Sequence, residues 1–114
     1  MKRAAVALLL IASQAVAADA PIADVVKMHM AIIAASSCDN AAASKEYTAY
    51  LRTRWNEYMA FVATDAGSAV AEKAWADDAL RIKQSGCDAF RREINGRFSK
   101  HPPYIRPFAV RDSI

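Results

Sequence analysis

The sequence predicts an all-α fold: a small three- or four-helix bundle with one disulfide and an extended, proline-containing C-terminal tail. Apolar residues recur at every third or fourth position, and nowhere do they alternate with the period of two that marks a strand. The three glycines and four prolines lie where helices are expected to begin or end. The two cysteines, Cys38 and Cys87, lie far apart in matching Ser-x-Cys-Asp stretches, which is the arrangement of a single cross-link.

Residues 1–17 have the features of a secretory signal peptide. Lys2 and Arg3 precede an apolar run, and Ala15-Val16-Ala17 forms a small-residue cleavage site. The run is far shorter than the roughly 20 residues that a membrane-spanning helix needs. We therefore expect cleavage after Ala17 and a periplasmic or secreted location, in a bacterium as the alanine-rich composition indicates.

The charge of the chain gives no support for nucleic-acid binding. The formal net charge of +3 falls to +1 once Lys2 and Arg3 leave with the signal peptide. Nucleic-acid binding depends on phosphate neutralisation by many basic groups, which a net +1 does not supply. The charge is uneven, with −3 over residues 18–88 and +4 over residues 89–114. An anionic partner would therefore meet the C-terminal quarter.

The first two helices belong to one predicted domain, residues 18–98. The first begins at Pro21, ends near Ser36, and has an apolar face comprising Ile22, Val25, Val26, His29, Ile32 and Ile33. The second covers about Ser44 to Ala66, and its broad apolar arc comprises Tyr47, Tyr50, Leu51, Trp55, Tyr58, Met59, Phe61 and Val62. Because this arc is wider than a one-sided surface helix needs, the second helix is either the centre of the bundle or part of a dimer contact.

The third helix is predicted from Ser68, its cap, to about Gln84, with Gly67 ending the helix before it. Its modest core face comprises Val70, Ala74, Trp75 and Ile82. Ser85-Gly86-Cys87-Asp88 has the form of a capping box, which would open a short fourth helix through Phe98. The alternative is one unbroken helix from Ser68 onward, and we favour the break. Three prolines then predict an extended basic tail over residues 99–114.

The two cysteines are expected to form a structural disulfide, because an oxidising compartment permits one and the bundle brings both to the same end. A redox couple is the alternative. It is disfavoured by the wide spacing and by the adjacent aspartates, which oppose thiolate formation.

His29 and Arg54 are the candidate residues for binding a small ligand in the bundle core. Met28, His29 and Met30 are metal-ligand types, but consecutive helical residues point about 100° apart and do not converge on one ion, so we predict no metal site and no cofactor. For Arg54 we favour a local salt bridge with Glu57 over an anchor for a carboxylate or phosphate.

The candidate partner-binding residues lie on the second helix and in the tail, and they comprise Tyr50, Trp55, Phe61, Tyr104, Arg106 and Phe108. The tail either wraps its own bundle or inserts into a partner, and the sequence does not decide between these two. The apolar stripe Phe90, Ile94 and Phe98, which has a basic rim, is either a core face or a membrane-surface contact, and we favour the core.

The sequence contains no recognisable catalytic constellation, so we predict a non-enzymatic protein that binds another periplasmic or secreted protein, with a homodimer as one form of this. A periplasmic carrier or sensor of a small ligand or metal is the alternative from another class. In size, export signal and cysteine spacing, the chain resembles small periplasmic acid-stress chaperones and the immunity proteins that neutralise secreted toxins. The first resemblance implies a further alternative, a chaperone that loosens in acid and exposes the Tyr47 to Val62 surface.

Overall fold

The computed structural model describes residues 19–39 and 42–109, so the predicted signal peptide and the last residues of the tail lie outside the described part. Within it, the elements in chain order are α1 (Ile22–Ala34), a 3-10 turn (Ala35–Ser37), α2 (Lys45–Val62), α3 (Asp65–Ser85) and α4 (Cys87–Lys100). The described residues contain no strand, only an isolated antiparallel bridge between Ala43 and Phe108. The predicted all-α fold is confirmed, with four helices.

The helices α1 and α3 each pack against the other three, and α1 is the more deeply buried of the two. On α1, Met28 is fully enclosed beside Val25 and Val26. Ile33 was predicted on the apolar face but is 40% exposed. The helix α2 packs on α1 and α3 at the side of the bundle, so it is not the centre.

The turn between α2 and α3 differs from the prediction. Thr64, not Ser68, caps α3, because its hydroxyl accepts a hydrogen bond from the Gly67 amide at 3.0 Å. Gly67 therefore does not end α2; it lies in the first turn of α3. A Cβ atom at this position would stand 1.9 Å from the carbonyl oxygen of Phe61. Glycine is needed here because the tight turn between α2 and α3 brings the Phe61 carbonyl against this position.

The predicted break between α3 and α4 is confirmed at Gly86. Gly86 has φ of +89°, a conformation that side-chain-bearing residues rarely adopt, and it sits at the start of α4. The predicted capping box is wrong, since Ser85 is the last residue of α3 and no side chain caps α4. The stripe formed by Phe90, Ile94 and Phe98 is buried in the core, as we favoured.

The predicted disulfide is present and joins two helix ends. Cys38 follows the 3-10 turn after α1, and Cys87 opens α4 directly after α3. Their sulfur atoms are bonded, and their Cα atoms lie 5.9 Å apart. The bond therefore holds the C-terminal ends of α1 and α3 together.

The described part of the tail docks on its own bundle. Phe108 is 1% exposed, and its ring meets the Phe90 ring edge-on at 6.2 Å between centroids. The Asn95 side chain brackets Phe108, accepting from its amide at 2.9 Å and donating to its carbonyl at 3.2 Å. Next to it, the Ser44 amide donates to the Pro107 carbonyl at 2.8 Å. Of the two alternatives for the tail, the structure shows the one in which it wraps the bundle.

Candidate functional site

An aromatic cluster of four rings joins α1 to α2; its members are His29, Tyr47, Trp55 and Tyr58. Nδ1 of His29 is hydrogen-bonded to the Tyr47 hydroxyl, and the His29 ring lies edge-on to Tyr58 at 5.1 Å between centroids. The rings of Trp55 and Tyr58 are stacked, with centroids 5.2 Å apart and an angle of 13° between their planes. Each ring of the aromatic cluster is thus held by at least one other ring.

The outer edge of this cluster is exposed. Tyr58 is 5% exposed, whereas Trp55 is 43% exposed and Met59, one turn further along α2, is 47% exposed. We call Trp55 and Met59 together the Trp55 face. Tyr47 and Leu51 supply the buried side of the same helix. The broad apolar arc predicted for α2 is therefore only partly covered by its own bundle.

Burial keeps the aromatic cluster uncharged at neutral pH. It lowers the pKa of His29, so the imidazole is neutral, and it raises the pKa of the Tyr58 hydroxyl. The pKa of Tyr47 is raised mainly by burial and further by the nearby Tyr58. The side chains beneath the Trp55 face therefore form an apolar, hydrogen-bonded support with no ionised group.

Arg54 holds the segment that precedes α1. Its Nε donates to Glu57 Oε1 at 2.7 Å, which is the local salt bridge that we favoured. Its Nη1 also donates to the Ala20 carbonyl at 2.8 Å and lies 2.9 Å from Asp19 Oδ1. The Tyr50 hydroxyl accepts from Arg54 at 2.7 Å and from the Ala20 amide at 3.3 Å. Arg54 and Tyr50 together form a polar cradle for Asp19 and Ala20.

The electrostatics of Arg54 agree with this structural role. The Arg54 hydrogen bond lowers the pKa of the Glu57 carboxyl, and the same bond raises the pKa of Arg54 itself. Sequence reasoning found the partner Glu57, one turn away, but missed Asp19 and Ala20. No local spacing pattern signals a contact across more than thirty residues of chain.

The remaining predicted contact residues have different surroundings. Tyr104 is 52% exposed and has φ of 61°, the left-handed region in which residues other than glycine are uncommon. Arg106 is exposed, and its carbonyl accepts from the Ser44 hydroxyl. Phe61 is half-buried against the core, and Phe108 is enclosed in the core. Of the tail candidates, only Tyr104 and Arg106 have exposed side chains.

Residues 19–39 and 42–109 contain no group of three or more His, Cys, Asp or Glu side chains that could hold a metal ion. Met28 and Met30 are buried, and His29 is engaged with Tyr47. In the same part of the chain, no helix has the length and apolar character needed to cross a membrane.

Comparisons with known proteins add no relative. The chain matches no protein-family model, and neither a curated protein nor a solved structure is significantly similar to it.

Proposed function

We propose that this chain is an exported, non-enzymatic helical protein that binds another periplasmic or secreted protein through the Trp55 face. The observation that carries the proposal is the Trp55 ring itself, which is nearly half-exposed yet fixed from beneath by Tyr58 and His29. Tryptophan is enriched among the residues that dominate binding energy at interfaces. A ring already held in position loses little conformational freedom when a partner covers it.

Tyr104 supports a second contact in the tail. A left-handed conformation costs a residue with a Cβ atom about 1 kcal/mol, and such residues concentrate at functional sites. Tyr104 has this conformation and an exposed ring, with the basic Arg106 two positions away. The tail can therefore contribute to recognition through Tyr104 and Arg106 while Phe108 keeps it attached to the bundle.

One feature supports export, and a second favours cleavage after Ala17. The disulfide suits an oxidising compartment, where such bonds persist. Asp19 and Ala20 are held in the Arg54 cradle, and Ala20 is 2% exposed. Cleavage after Ala17 leaves both residues on the mature chain, whereas cleavage after Ala20 would remove them and strip Arg54 of two partners. N-terminal sequencing of the secreted product distinguishes the two cleavage sites.

The test of the binding proposal is affinity capture from a periplasmic extract with the oxidised mature protein, followed by titration of the captured partner. Trp55→Ala should weaken the affinity by roughly 30-fold or more, the size expected for a dominant interface residue. Trp75→Ala is the matched control, because Trp75 lies on α3 and is 48% exposed. We expect it to change the affinity less than about threefold, as a surface substitution away from the contact should.

Equal losses in the two tryptophan variants, or none in Trp55→Ala, would contradict the proposal. Deleting the tail at Ser99 is an unsuitable test, since it also removes Phe108 from the core. The tail is better examined with Tyr104→Ser, which should weaken binding without lowering the melting temperature.

A further inference from the structure

A groove with a volume of about 340 Å³ opens between α1, α3 and α4 and shares no residue with the Trp55 face. Its apolar wall is formed by Val70 and Ala74, which are half-buried on α3. Its charged residues come from all three helices, with Lys27 on α1, Asp78 on α3 and Arg97 on α4. A groove of this size accepts a small organic molecule.

Asp78 is the unusual member of the groove. It is 5% exposed, yet within the described residues its carboxylate makes no hydrogen bond and no ion pair. Its neighbour Asp77, by contrast, is exposed and pairs with Lys73 at 2.8 Å. Burial raises the pKa of Asp78, and the more distant charges of Arg97 and Arg81 only partly oppose this. Asp78 lines the groove, so a ligand bound there can supply the cation or hydrogen-bond donor that no described side chain provides.

Most cations around the groove are already engaged. Glu93 is bonded to Arg81 and, at 3.2 Å, to Arg97, so it neutralises part of the charge of both. Lys27 differs from them, because it makes no ion pair within the described part of the chain. The groove therefore presents two unengaged charges of opposite sign on facing helices, Asp78 on α3 and Lys27 on α1.

We propose that this groove binds a free amino acid with a small or medium apolar side chain. The ammonium group would contact the Asp78 carboxylate, and the ligand carboxylate would contact Lys27 at the groove rim. The side chain would lie against Val70 and Ala74. A simple anion would leave Asp78 unpaired and a simple cation would leave Lys27 unpaired, so a zwitterion satisfies both charges. The site is independent of the Trp55 face.

Isothermal titration of the oxidised mature protein with alanine, valine, leucine and methionine tests this inference. We expect at least one of them to bind with a Kd of about 1 mM or tighter. Two analogues of leucine separate the contributions of the two charges: N-acetylleucine lacks the ammonium group and isopentylamine lacks the carboxylate. Each should bind about tenfold more weakly than leucine, because each lacks the group that contacts one of the two charges, Asp78 or Lys27.

Two substitutions place the ligand in the groove. Asp78→Asn and Lys27→Gln should each weaken binding about tenfold. Asp39→Asn and Lys45→Gln are matched controls on exposed residues outside the groove and should leave the Kd unchanged. If Asp78→Asn folds poorly, the exposed Lys27 still decides the question. The inference is overturned if none of the four amino acids binds, if the analogues bind as tightly as leucine, or if neither groove variant changes the Kd.

Discussion

Arg54 and Asp78 are charged side chains that the bundle largely covers, and they differ in how many hydrogen bonds and ion pairs they make. Arg54 reaches Glu57 on its own helix and the Asp19–Ala20 segment beyond it. Asp78 reaches no partner among the described residues. We therefore expect the Arg54 contacts to stabilise the folded state. The Asp78 carboxylate should destabilise it, since a largely covered charge without a partner is unfavourable. We therefore expect Asp78→Asn to fold at least as stably as the natural chain.

His29 makes the stability of the bundle depend on pH. Burial lowers the pKa of His29 in the folded protein from its ordinary value of 6.5. As the pH falls below 6.5, the unfolded chain therefore binds a proton at His29 more readily than the folded protein does. The free energy of unfolding should therefore fall as pH decreases through this range. We expect the melting temperature to be lower at about pH 5.5 than at about pH 7.5, and the difference to shrink in His29→Gln.

Asp78 contributes with the opposite sign, because its raised pKa favours proton binding by the folded state. Comparing the pH dependence in the Asp78→Asn background isolates the effect of His29. An unchanged pH dependence in His29→Gln would show that the imidazole is not the titrating group. The acid-stress alternative requires that low pH loosen the bundle and expose the apolar surface of α2. A dye that fluoresces on binding apolar surface should then brighten at about pH 2–3, and unchanged fluorescence would count against this alternative.

At the scale of elements, substituting alanine for either of two helical glycines, Gly67 and Gly96, should change the stability in opposite directions. A Cβ atom on Gly67 would clash with the Phe61 carbonyl, whereas a Cβ atom on Gly96 would meet nothing within 4 Å. Gly67→Ala should lower the free energy of unfolding by about 1–3 kcal/mol, the usual cost of overpacking. Gly96→Ala should raise it by about 0.5–1 kcal/mol, because alanine loses less backbone entropy in a helix.

Urea denaturation of both variants measures these differences. If Gly67→Ala is as stable as Gly96→Ala, the Phe61 carbonyl does not lie as close to this position as described. Gly86→Ala is a third case with a separate cause, since its positive φ disfavours any side chain even though the surrounding space is open.

The existence of the helices was predictable from the sequence, but some of their ends were not. The spacing of apolar residues indicated all four, and Pro21, Ser44 and Gly86 marked real boundaries. The boundary at Thr64 was missed because Gly67 has the composition of a helix stop, while its actual role depends on the approach of Phe61. That approach is set by the geometry of the tight turn between α2 and α3, which composition alone does not encode.

For the whole molecule, the disulfide is the contact whose removal should have the largest effect. Cys38 and Cys87 are 49 positions apart and close a loop that contains all of α2 and α3. Loop-closure entropy gives such a bond about 4 kcal/mol of stabilisation, a large share for a domain of this size. We expect Cys38→Ser with Cys87→Ser to lower the free energy of unfolding by about this amount in urea denaturation.

Adding a reductant to the natural chain should reproduce this loss, and it should leave the double-serine variant unchanged. A denaturation midpoint that is insensitive to the reductant would contradict the structural role of the bond.

The candidate sites were less predictable than the fold. Trp55 was identified because a broad aromatic arc on one helix is visible in the sequence. The groove was missed because its charges come from three separate helices, and Lys27, Asp78 and Arg97 have no shared spacing. Trp75 was predicted in the core but is 48% exposed, since the covered side of α3 runs through Val70, Ala74 and Asp78, and Trp75 lies about 100° around the helix from Ala74.

The docking of Phe108 has a consequence for the order in which this protein can mature. Phe108 follows all four helices in the chain. Ser44, at the start of α2, and the Asn95 side chain find their hydrogen-bonding partners only in the segment that contains Arg106 and Phe108. Because the chain is synthesised from its N-terminus, all four helices are made before the segment that places Phe108 in the core. Until that segment has docked, the Ser44 amide and the Asn95 side chain lack their partners, so the bundle reaches its full stability only at this last step.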